Sequence, residues 1–173
     1  MLKYNKKSPI IPVARAVRQE MERFARANSF IGDPTDLCCY CAISSYFLKM
    51  VAMRVGVKKI TLVEGQAFNS AIADYYAIHE QGDQPDVLGA DHCWVEYDGF
   101  VFDITATQFR ETAKVFVVKI GSSEYRKLFW PLHTNTSAVR EMKHRWPKEQ
   151  SPFTYMSDLR KRADKLALKL ITK

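Results

Sequence analysis

The stretch DHCWVEYDGFVFDIT, residues 91–105, carries two side chains that a hairpin built only to fold does not need. Its apolar residues flank Asp98-Gly99, a strong short-range signal for a two-residue turn. With that turn, Tyr97 faces Phe100, Glu96 faces Val101, Val95 faces Phe102 and Trp94 faces Asp103. Side chains alternate along each arm. Cys93, Val95, Tyr97, Phe100, Phe102 and Ile104 therefore share a core face, while His92, Trp94, Glu96, Val101, Asp103 and Thr105 share the other. His92 and Asp103 become diagonal neighbours, roughly 7–8 Å apart at the backbone, close enough for a carboxylate to hold an imidazole N–H. An acid that orients a base needs this placement.

A base needs a nucleophile, and LCCYCAISSYFLKMVAMRVG, residues 37–56, offers thiols at the start of an apolar helix. A thiol in a first helical turn meets backbone N–H groups with no intrahelical acceptor and the positive end of the helix dipole, both of which favour thiolate. A neighbouring imidazolium lowers its pKa further. The chemistry would be acyl transfer: a Cys nucleophile, His as base and then acid, Asp as orienter, with first-turn N–H groups facing the oxyanion. The residues themselves leave Cys39 and Cys41 open.

Each side chain also has a plainer reading. A free Cys is often just a small buried hydrophobe, and a lone His is more often structural. Zinc is the chemical rival, since Cys-x-Cys and His-Cys both occur. Consecutive strand residues point to opposite faces, however, and no repeated two- to four-residue Cys spacing is present. No metal and no cofactor are expected.

These residues must be positioned by a particular set of elements. Val13, Val17, Met21 and Phe24 form one stripe of a helix over 13–27. After the turn signal Gly32-Asp33-Pro34, Thr35 or Asp36 is placed to cap a second helix from Cys39 to Arg54 that ends at Gly56. A strand in KKITLVEGQAF, a polar connection over 69–90 with a short helix near 71–78, and the hairpin follow. AKVFVVKI, 113–120, reads as a strand buried on both faces. Segments 122–129, 136–145 and 153–172 read as helices. Helices, a small antiparallel sheet, then helices again indicate an α+β fold in one domain spanning 1–173.

At 173 residues, 47% hydrophobic and 26% charged, the composition is globular. No run approaches the roughly eighteen apolar residues of a membrane helix. Pro9, Pro12 and Arg15 interrupt any signal-peptide core, so a cytoplasmic location is expected. Cys38, Cys39, Cys41 and Cys93 are too clustered for easy bridging and fit free thiols in a reducing compartment. The net charge of +7 is uneven: residues 1–29 hold seven Lys/Arg against two Asp/Glu, and 139–173 hold ten against four. Solvated faces of terminal helices account for this better than nucleic acid, for which no aromatic-interleaved basic motif is present.

The run from CAISSYFLKMVAMRVGVKKITLVEGQAF to HCWVEYDGFVFDIT resembles the transglutaminase-like superfamily, a papain-like cysteine fold. Its pattern is a Cys opening a helix, a Gly some fifteen positions on, a strand ending in Gly, His-x-Trp-x-Glu, and an Asp followed by Thr. Cys41, Gly56, Gly65, His92, Trp94, Glu96, Asp103 and Thr105 match it, over a core of about 36–109, with a basic helical part over 122–173. The resemblance implies Cys41 as nucleophile, His92 as base and Asp103 as orienter, with Trp94 over the pair. It also implies a peptide or protein substrate for hydrolysis, deamidation or transfer to an amine. The chain departs from the pattern at Cys39, where many members have Gly, and it lacks an obvious papain-type Gln upstream. Gln108 lies on the distal side, where it reads either as a supporting donor or, preferably, as a strand-end surface residue. The contrasting expectation is an inactive relative that uses its basic helices to bind an acidic protein or nucleic acid.

Overall fold

The computed structural model describes residues 8–28, 37, 39–67, 90–108 and 113–172. The apolar stripe of the first segment folds as helix α1, Ile10–Ala27, with Val13, Val17, Met21 and Phe24 all buried. Helix α2, Cys41–Arg54, buries Ile43, Phe47, Leu48 and Val51 completely, as a helix apolar around most of its surface must. It begins two residues later than expected. Cys39 has φ +66°, a left-handed conformation that no right-handed helix admits, and Tyr40 is the N-cap. The other end is as expected: the N–H groups of Gly56 and Val57 bond to the carbonyls of Met53 and Ala52 in a Schellman arrangement. The expected turn at 32–34, the caps at Thr35 or Asp36 and the short helix at 71–78 lie outside the described residues.

Five strands form one antiparallel sheet: β1 (Thr61–Ala67), β2 (Ala90–Tyr97), β3 (Phe100–Asp103), β4 (Phe116–Lys119) and β5 (Phe129–Thr134). Their order is β4-β3-β2-β1-β5. Helices α3 (Ser123–Leu128), α4 (Asn135–His144) and α5 (Met156–Ile171) complete an α+β fold of five helices and five strands among the described residues. The hairpin register is the expected one, with Val95 opposite Phe102, Glu96 opposite Val101 and Tyr97 opposite Phe100. Asp98 and Gly99 both take positive φ, 51° and 76°, the signature of a type I′ turn. The β2–β3 ladder stops one pair short of Trp94–Asp103, and Asp103 pairs instead with Phe116 of β4.

Both faces of the hairpin are buried. Cys93, Val95, Phe102 and Ile104 join the main core with α1, α2 and α5, whereas Trp94 and Val101 join Val63, Val118 and Phe129 in a second core. Two expectations need correction. Strand β4 is not buried on both faces: it lies at the sheet edge, and of its residues only Val118 is buried. Strand β5 lies where no element was expected, between the helices expected over 122–129 and 136–145, and it carries Pro131. At the opposite edge, however, a residue without an N–H costs little.

Gly65 joins these parts. It pairs with His92 on one side and Pro131 on the other, where the ladder is irregular. A Cβ there would sit 2.9 Å from the Pro131 Cα and closer still to the Trp130 carbonyl oxygen. Backbone cannot yield as a flexible side chain can. Gly65→Ala is therefore expected to cost about 1–3 kcal/mol of stability by forcing β5 away from β1. Urea unfolding of the variant against wild type measures this, and an unchanged midpoint would show that the strands part freely.

Candidate active site

Cys41, His92 and Asp103 meet at the start of α2. Cys41 is the first helical residue, so its own N–H and those of Ala42 and Ile43 have no intrahelical acceptor. Ser44 is the first to bond back, to the Tyr40 carbonyl at 2.8 Å. Ser45 Oγ donates to the Cys93 carbonyl at 2.7 Å and fastens this turn to β2. His92 Nε2 lies 2.7 Å from Asp103 Oδ2. A carboxylate only accepts, so Nε2 carries the proton in that bond and Nδ1 is left for the thiol. The other Asp103 oxygen accepts from the Thr105 N–H at 2.8 Å and from the Thr105 hydroxyl at 3.0 Å. The Trp94 indole lies nearly parallel to the imidazole, with ring centroids 6.0 Å apart, and its Nε1 donates to Glu96 at 3.1 Å.

The three groups are almost wholly buried, at 2%, 0% and 1% exposure for Cys41, His92 and Asp103. Burial alone would push the Cys41 thiol up. Hydrogen bonds from Cys93 and His92, and then the imidazolium charge, overcome it and bring the pKa to about 5. Burial would push His92 down, but the Asp103 charge and hydrogen bond, with help from Cys41, raise it to about 10. Asp103 is pushed up by burial and held below its usual value by His92 first and Thr105 second. Cys93 is driven well above the ordinary thiol range by burial and by the neighbouring Cys41. Near neutrality the arrangement is a thiolate–imidazolium pair backed by a carboxylate.

Gln108 is not a surface residue at a strand end. It closes a 3-10 turn, Ala106–Gln108, and its Oε1 accepts from the Cys39 N–H at 3.3 Å. That bond fixes the amide so that Nε2 faces His92 Nδ1 at 3.4 Å. Against an imidazolium, whose Nδ1 already carries a proton, this amide N–H is a spare donor beside the imidazole. Cys39 holds its left-handed backbone here, a conformation that usually falls to glycine.

Arg18 was not singled out from the sequence. It is buried on α1, and its Nη1 donates to the Ile104 carbonyl and, at 3.1 Å, to Thr107 Oγ1. Its Nε donates to Glu22 at 2.9 Å, and Lys114 joins Glu22 at 2.8 Å. This clamp fixes the segment between Asp103 and Gln108. The available signal was an Arg–Glu pair at i, i+4 lying on an otherwise apolar stripe. His133 lies 4.0 Å from buried Glu64. Among the described residues, no group of three or more His, Cys, Asp or Glu is placed to hold a metal ion.

The pair has a calculable pH signature. Unfolded, Cys41 and His92 titrate near 9.0 and 6.5; folded, they titrate near 5 and 10. The depressed Cys41 contributes stability present above 9 and lost as pH falls through about 5. The raised His92 contributes stability present below 6.5 and lost as pH rises through about 10. Between 6.5 and 9 both states hold one proton across the pair, so its contribution is flat there and declines on either side. Urea unfolding of wild type against Cys41→Ala/His92→Gln should show this plateau, whereas a difference independent of pH would mean the groups are uncoupled. Thiolate ultraviolet absorbance across the plateau, lost in Cys41→Ser, identifies which member carries the proton.

No family model matches this chain, and comparisons with curated proteins and with solved structures found no match.

Proposed function

We propose that the protein is a cysteine-dependent acyl-transfer enzyme of transglutaminase-like, papain-like type, acting on an amide of a peptide or protein. The observation that carries this reading is the His92–Asp103 hydrogen bond at the end of α2 that bears Cys41. The Cys41 thiolate attacks the amide carbonyl carbon, and the electron pair moves onto oxygen. The N–H groups of the first turn of α2 and the spare Gln108 Nε2 donor are the groups on hand for that oxyanion. His92 then gives its Nδ1 proton to the leaving nitrogen, the C–N bond breaks, and an acyl-thioester remains on Cys41. His92 next takes a proton from water, which releases the acid and restores the thiolate. An amine in place of water gives transfer instead. Asp103 keeps the imidazole oriented throughout and offsets its charge.

Cys39 gives independent support. It occupies the position where many transglutaminase-like proteins have glycine, and its φ of +66° is one that glycine adopts freely. The departure in residue type therefore leaves the backbone path intact. The near-complete burial of the three groups favours the contrasting reading, an inactive protein that binds through its basic helices.

Cys41 reactivity separates the two. At pH 6 an ordinary thiol is about 0.3% thiolate, so a pKa near 5 gives Cys41 an advantage of roughly 300-fold in thiolate. Its lower intrinsic nucleophilicity takes back about 30-fold, which leaves roughly tenfold. Iodoacetamide should thus alkylate Cys41 at pH 6 about ten times faster than free cysteine, and His92→Ala should abolish the advantage. A Cys41 no faster than free cysteine would remove the enzyme reading, and salt-sensitive binding that survives Cys41→Ala would take its place.

A further inference from the structure

A groove of about 610 Å³ runs between α1 and α5, away from the candidate active site. Glu20 and Arg23 line one wall, and Asp158, Lys161, Arg162, Lys165 and Lys169 belong to the other. Both carboxylates are already committed. Glu20 bonds Arg23 and accepts from Arg162 at 2.8 Å, while Asp158 accepts from Arg162 at 2.7 Å. The three lysines make no ion pair among the described residues, and all are exposed. They fall at i, i+4 and i+8 of one helix, a row with about 6 Å of rise between members. An extended peptide repeats its same-side side chains about 6.6 Å apart, so carboxylates at alternate positions match that row. None of the groove residues is aromatic, so single-stranded nucleic acid would find no stacking surface. Leu166 and Leu170 add aliphatic surface for a peptide backbone to lie against.

Phe24 of α1 packs edge-on against Tyr155, the N-cap of α5, at 5.2 Å and against Tyr40 at 6.3 Å. Tyr40 immediately precedes Cys41. Beneath the groove, this aromatic contact ties α1 and α5 to the residue before Cys41.

We infer that this groove docks an acidic, extended segment of a protein substrate, outside the residues that enter the active site. The inference rests on the proposed acyl-transfer function for its meaning but not for its binding chemistry. The test uses a fluorescent Glu-Ala repeat peptide, titrated by anisotropy against wild type, Cys41→Ala and Lys161→Gln/Lys165→Gln/Lys169→Gln. Wild type and Cys41→Ala should bind it equally and more weakly as salt rises, and the triple variant should lose roughly tenfold. The triple variant should alkylate at Cys41 at the wild-type rate. Equal binding by wild type and triple variant overturns the inference, as does tighter binding of a single-stranded oligonucleotide than of the peptide. If Cys41 proves an ordinary thiol while the lysines still govern peptide binding, the groove stands and the enzyme reading alone falls.

Discussion

A buried carboxylate is the constraint from which the rest of this structure follows. Asp103 is 1% exposed, and an isolated charge in such surroundings is prohibitive unless hydrogen bonds and an opposite charge replace the lost water. His92 supplies the charge, and the backbone and hydroxyl of Thr105 supply two further donors. Thr105 can do so only because the chain turns sharply after β3 into the 3-10 turn that ends at Gln108. That turn is held by Arg18, itself a buried charge that requires Glu22 and the Ile104 carbonyl. The polar groups of α1 and of the hairpin thus satisfy one another, and neither set would be tolerable alone.

The cost of this arrangement suggests what it is for. Replacing a buried ion pair with apolar residues of similar size is often neutral or stabilising, so stability does not account for one. Here the charges are aligned with a helix end. The carboxylate holds the imidazole, the imidazole faces the sulfur, and the sulfur belongs to the first residue of α2, whose first-turn N–H groups have no intrahelical acceptor. The direction of each pKa shift follows from that line. Burial opposes ionisation at all three positions, and at each the neighbours win.

How much of this the sequence shows depends on the range of the interaction. The Asp98-Gly99 turn sets the hairpin register, and with it the diagonal of His92 and Asp103, through contacts a few residues long. The end of α2 at Gly56 is similarly local. The start of α2 is not, since the left-handed Cys39 is held by Gln108 from a remote part of the chain. Gln108 itself read as a surface residue because its direction depends on the Arg18 clamp, whose i, i+4 Arg–Glu spacing shows in the sequence while its reach to Ile104 and Thr107 does not. Strand β5 was not expected, and its Pro131 is tolerated because the strand is an edge, a position that only the assembled sheet defines.

The asymmetry of Cys41 and Cys93 shows how narrowly the environment selects one thiol. Both are buried, they are hydrogen-bonded to each other, and burial opposes ionisation of each. Cys41 accepts from Cys93 and from His92 and lies at the positive end of a helix, so its thiolate is favoured. Cys93 lies within a strand, where no dipole assists it, and it faces both the Cys41 charge and the buried carboxyl of Glu64 across the ladder. A second thiolate there would be repelled by the first. Cys93 therefore stays protonated and serves as a donor. The same two sulfurs, placed in one site, become a thiolate and its hydrogen-bond donor.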